Sequence, residues 1–99
     1  MNYEFHPEAE LEIIESAARY ESEVPGLGLE FGEEVERVLE LLMERPELGV
    51  TVEGEIRHFV LRRFPFSVIY AVAGRLIYVL AVAHSSRGPG YWKARVRNF

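Results

Sequence analysis

The chain has 99 residues, 48% of them hydrophobic, no cysteine and a formal net charge of −5. A chain this short supports one hydrophobic core, and the cysteine count excludes disulfides, thiolate metal sites and cysteine nucleophiles. The charge is uneven: residues 1–54 carry −12, with Arg19, Arg37 and Arg45 their only cations, and residues 55–99 carry +7, with Glu55 their only acid. Either the second half meets an anionic partner or the two halves neutralise each other across the fold. The start, Met-Asn-Tyr-Glu-Phe, lacks the basic and apolar regions of a signal peptide. The longest apolar stretch, Val68 to Ala83, is broken by Gly74-Arg75 and is too short to span a bilayer. The expectation is a cytoplasmic protein without a membrane partner.

Tyr3 to Phe5 reads as a short strand. His6-Pro7 then opens a helix, with proline suited to the first turn and Glu8 and Glu10 near the positive end of the dipole. Ile13, Ile14, Ala17 and Tyr20 fall on one face of that helix, widened by Leu11 and Ala18, and Val24-Pro25-Gly26 ends it. A second helix begins near Leu27. Its stripe of Phe31, Val35, Val38, Leu39 and Leu42 is the clearest period in the chain, and Glu33, Glu34, Glu36, Glu40 and Glu44 occupy most of the remaining surface. Arg45-Pro46 closes it.

After a loop at Gly49 the period turns from helical to alternating. Ile56 to Leu61 reads as a strand with Arg57, Phe59 and Leu61 on one face, Phe64 to Val72 as a second, and Leu76 to Ala83 as a third. Pro65 marks the start of the second, and Gly74 makes a hairpin turn between the last two. The third strand is apolar nearly throughout, as a central strand buried on both faces should be. A tail with Gly88-Pro89-Gly90-Tyr91-Trp92 follows. The order β-α-α-β-β-β predicts one α+β domain over residues 1–99, a mostly antiparallel sheet with an antiparallel helical hairpin packed on one face.

Four stretches in this order carry a resemblance. They are Pro25-Gly26-Leu27-Gly28 before the Phe31 helix; Glu44-Arg45-Pro46 followed by Gly54-Glu55-Ile56-Arg57; Arg63-Phe64-Pro65-Phe66-Ser67-Val68-Ile69-Tyr70; and Val79 to His84 with Arg87-Gly88-Pro89-Gly90-Tyr91-Trp92. Over nearly its whole length the chain resembles the RelE/ParE superfamily of type II toxins. The resemblance implies the same sheet-and-hairpin fold, a cognate antitoxin as partner in a hetero-oligomer, no cofactor, and a role in growth inhibition and plasmid stabilization. It implies two possible targets. RelE-like members cut messenger RNA on the ribosome, and ParE-like members poison DNA gyrase without nuclease chemistry.

RNA cleavage through the 2′-hydroxyl needs a base, an acid and cations around the phosphate. Arg57, His84, Arg87 and Tyr91 are the candidate catalytic groups, His84 because its intrinsic pKa lies near neutrality. Arg62, Arg63, Trp92 and Lys93 are candidates for binding target or nucleic acid. Each has a structural alternative: Arg57 pairing with a helix glutamate, His84 capping the strand end, Tyr91 and Trp92 covering the sheet. RelE-like nucleases rely on many lysines and arginines, including an arginine soon after the last strand, whereas here Ser85 and Ser86 directly follow His84 and Lys93 is the only lysine. These departures favour the ParE-like branch. A third reading is a decayed toxin that serves as an antitoxin-binding platform. No spacing among His6, His58 and His84 makes a metal site.

Overall fold

Proline at the first helical position fixes where the first helix starts, and the His6 ring before it accepts the Glu8 amide at 3.1 Å. The computed structural model describes residues 1–98, with side chains through Val96. Strand β1 (Asn2–Phe5) leads into α1 (Pro7–Glu23) and α2 (Leu27–Glu44). Gly26, with φ at 88°, brings no side chain to cap α2. The Glu21 carboxylate of α1 does so instead, accepting the amides of Gly26 at 2.8 Å and Gly28 at 3.0 Å. Gly28 lies so close to α1 that an added Cβ would run into the Ala17 carbonyl.

A short 3-10 turn (Pro46–Leu48) precedes β2 (Val50–Glu53), β3 (Ile56–Val60), β4 (Phe66–Ala73) and β5 (Leu76–His84). Strand β2 falls within the expected Gly49 loop. All four of its residues are exposed at the sheet edge, so no buried alternation announces it. The sheet order is β1-β5-β4-β3-β2, with β1 parallel to β5 and the other pairs antiparallel. The sheet is therefore mixed and mostly antiparallel, with β5 an interior strand between β1 and β4, in keeping with its unbroken apolar run. Gly74 takes φ +61° in the β4–β5 turn. Residues Lys93–Asn98 form a second 3-10 segment.

The helices cover one face of the sheet. Phe31, Val35, Val38, Leu39 and Leu42 of α2 pack there with Phe66, Val68, Tyr70, Ile77, Val79 and Val82. Tyr20, Phe31, Phe64 and Phe66 form an aromatic cluster with centroids 4.9–6.2 Å apart. Two expected faces need correcting. Ile14 and Leu11 of α1 are exposed, the buried positions being Ala9 and Ser16. Glu34, expected on the solvated surface of α2, is 4% exposed and accepts the amides of Arg62 and Arg63 in the β3–β4 turn.

The opposite face carries a smaller cluster of Ile69, Leu80, Ala81 and Trp92. A register shift opposite Ile69 and Tyr70 puts both Leu80 and Ala81 on this face, while Val79 and Val82 point to the helices.

Candidate functional site

The end of β5 meets α1 at a groove of about 260 Å³. Glu12, Glu15, Ser16 and Arg19 of α1 form one wall, Phe66 and Val82 lie between, and His84, Ser86, Arg87 and Tyr91 complete the lining. A smaller space of about 140 Å³, bounded by Tyr20 and Glu23, shares Ser16, Arg19, Phe66 and His84 with it.

Each lining group has an identifiable restraint. The His84 ring stands edge-on to Phe66 at 5.0 Å between centroids. Its Nδ1 accepts the Ser86 amide at 3.0 Å and lies 2.8 Å from the Ser86 hydroxyl. With Nδ1 occupied as an acceptor, the neutral ring carries its proton on Nε2 and offers the groove a donor. The Arg87 guanidinium sits 3.7 Å from the centre of the Tyr91 ring, a cation–π stack. The Tyr91 hydroxyl donates to Glu12 Oε2 at 2.7 Å. Burial, reinforced by the Glu12 carboxylate, pushes the Tyr91 phenol well above its ordinary range.

Glu12 holds more than the tyrosine. Its Oε1 accepts the Val82 amide at 2.9 Å and Arg95 at 3.1 Å, and its Oε2 accepts a second Arg95 nitrogen at 2.9 Å. Arg95 also donates to the Leu80 carbonyl at 2.9 Å. This bidentate pair fastens the segment after β5 to α1.

The remaining sequence candidates lie elsewhere. Arg57 donates to the carbonyls of Gly49 at 2.7 Å and Glu47 at 3.2 Å, not to a helix glutamate. It pairs in register with Tyr70, and Tyr70 with Val79, whereas His84 pairs with Phe66. Two strand spacings and four residues of rise therefore separate Arg57 from His84, about 16 Å. Arg63 reaches Glu30 at 2.7 Å, while Arg62 lines a separate groove with Arg37, Val38, Leu41, Phe59 and Val60. Trp92, 4% exposed, covers the outer face of the sheet. Lys93 bridges to Glu53 at 3.0 Å. The structure thus brings together His84, Arg87 and Tyr91 and leaves Arg57, Arg62, Arg63, Trp92 and Lys93 outside the groove.

Ion pairs of Arg63 with Glu30, of Lys93 with Glu53 and of Arg95 with both Glu12 and Glu8 join the basic second half to the acidic first half. Part of the charge asymmetry is therefore neutralised within the fold. Glu12, Ser16, Arg19 and Arg95 escaped the sequence reading. A signal for two of them exists: Ala9, Glu12 and Ser16 repeat at i, i+3 and i+7, placing a carboxylate on the sheet-facing side of α1. Among the described residues, no group of three His, Asp or Glu side chains is placed to hold a metal ion, and no helix is long and apolar enough to cross a membrane.

Two paired helices on one face of a mixed sheet, with a parallel N-terminal strand at its edge, define the RelE/ParE class of α+β toxin folds. The structure superimposes on that of the chromosomal ParDE toxin–antitoxin system from P. aeruginosa with a TM-score of 0.73 at 19% identity, covering 85% of this chain and 95% of that one. It superimposes on the isolated E. coli RelE toxin with a TM-score of 0.64, also at 19% identity, covering 98% and 97%. No curated relative matches the sequence. The family model for the ParE toxin of type II toxin–antitoxin systems, parDE, matches residues 3–89, and the chain belongs to that family.

Proposed function

We propose that this toxin arrests growth in the cytoplasm by poisoning DNA gyrase and is neutralised by a cognate antitoxin. The observation that carries this reading is the dispersal of the groups that RNA cleavage needs. A base, an acid and phosphate-binding cations must surround one phosphodiester. Arg57 stands about 16 Å from His84 by strand register, and its guanidinium is held by the carbonyls of Glu47 and Gly49. His84 has its Nδ1 lone pair engaged by Ser86, so its neutral ring presents an N–H to the groove and no free lone pair to act as a base. Tyr91 already gives its hydroxyl hydrogen to Glu12. Poisoning requires a complementary surface and no turnover, and the groove end of the sheet supplies donors for one.

The test is pulse labelling of DNA and protein synthesis within minutes of inducing the chain alone, followed by gyrase supercoiling assays with purified toxin. Early loss of DNA synthesis with trapped gyrase–DNA complexes supports the reading. Early loss of protein synthesis with gyrase untouched overturns it and favours messenger RNA cleavage. The convergence of His84, Arg87, Tyr91 and Arg19 in one groove is the observation that gives that second reading its weight.

A further inference from the structure

We propose that residues 91–96 form a strap that docks and releases as a unit, and that Glu12 is the positioning residue that latches it and so sets the wall of the groove. The inference rests on the toxin reading only where toxicity is the readout.

The strap has a small apolar seat, Trp92 against Ile69, Leu80 and Ala81. Its main fastening is polar. The Glu12 side chain, 14% exposed, accepts hydrogen bonds from Val82 of β5 and from Tyr91 and Arg95 of the strap. Strand β1 pairs with β5 only as far as Val79, so at Val82 this carboxylate takes the place of a strand partner. Among the described residues, the next carboxylate to Arg95, itself 9% exposed, is that of Glu8 at 3.7 Å. Arg95 also donates to the Leu80 carbonyl of β5 at 2.9 Å, while the Lys93–Glu53 pair is more than half exposed at both ends and holds weakly.

The way in and out is also built. The backbone of residues 85–87 is tied down by Ser85 to Pro65 and by Arg87 to His84. Gly88-Pro89-Gly90 follows, with Gly90 at φ +77°, and leads directly into the strap. Because Arg87 stacks on Tyr91, release of the strap removes the platform that holds this guanidinium at the groove. The groove and the outer face are thus coupled through one carboxylate. Loss of that carboxylate leaves buried Arg95 with only the exposed Glu8 carboxylate at 3.7 Å to offset its charge, which favours the released state.

Trp92 is the only tryptophan, so its emission reports the strap alone. In Glu12→Ala, its emission should shift to the red and acrylamide quenching should rise severalfold, while far-UV circular dichroism and a cooperative urea transition persist. Glu12→Gln, which keeps an acceptor for Val82, should fall between. Trp92 as shielded as in the wild type, or exposed only in step with global unfolding, overturns the proposal. Hydrogen exchange on the wild-type chain decides the matter even if the variant does not fold. The amides of Val82, Lys93 and Arg95 should exchange together and faster than that of Val79. Exchange of all four in one global event overturns it.

In cells, Glu12→Ala and Arg95→Ala should each reduce toxicity, and the double variant should be no weaker than either single one. Full toxicity with a released strap overturns the coupling. A wild-type chain without toxicity would instead defeat the functional reading and leave the fluorescence and exchange results to judge the strap.

Discussion

The two faces of the sheet are held by different physics. The helix side buries an unbroken apolar cluster centred on Phe31, Phe66 and Leu42, where non-directional packing does the holding. The outer side has a narrow seat for Trp92 and depends on the Glu12–Arg95 pair for its cover. The first face tolerates a change of shape poorly. The second should respond to a change of charge. His84, Arg87 and Tyr91 sit where the two meet, which places the candidate groove on the boundary between a rigid layer and a releasable one.

The contrast predicts a sharp order of mutational effects. Phe31→Ala, at a fully buried site inside the aromatic cluster, should cost about 3–5 kcal/mol in urea denaturation. That is a large share of the roughly 5–10 kcal/mol a domain of this size has to lose. A smaller cost would mean that the helix-side core repacks and is less rigid than its geometry implies. Glu34→Ala should follow at about 1–3 kcal/mol, since it strips acceptors from the amides of Arg62 and Arg63 without touching the apolar core. Next comes Arg57→Ala, at about 1 kcal/mol from the lost bonds to the Glu47 and Gly49 carbonyls. The same variant should retain its toxicity, because this arginine is structural in the gyrase reading. A folded but harmless variant would return Arg57 to the functional surface.

Much of this was legible in advance, and the exceptions share a cause. The α2 stripe and the apolar run of β5 fixed the helix side because burial repeats with the period of the element. Strand β2 was missed because its valines are exposed, and Ile14 was misplaced because α1 turns buried Ser16 and half-buried Glu12 to the sheet in its stead. The candidate site was half visible. His84, Arg87 and Tyr91 lie within eight residues of one another, and proximity in the chain brought them together. Glu12 and Arg95 lie 83 residues apart, and no local pattern links them. Arg57 failed as a partner for His84 because a shared face does not fix position along the strands. Register does that.

The smallest effect offers the finest test of the boundary. Tyr91 faces Glu12 from α1, Arg87 beside its ring and Arg95 from its own segment. Burial and the Glu12 carboxylate oppose its ionisation, so its folded-state pKa is raised above the ordinary value of 10.0. A tyrosine raised in this way contributes stability that is fully present below its unfolded pKa and is lost as pH climbs from there toward the folded value. Trp92 emission should therefore move to the red as pH rises above 10, before the far-UV signal of the helices changes. In Tyr91→Phe, which keeps a ring for Arg87 but has no proton to lose, that early step should vanish. If it survives, another group controls the strap at alkaline pH. If instead the helices and Trp92 respond together, the two faces form one cooperative unit and the boundary between them is not a functional division.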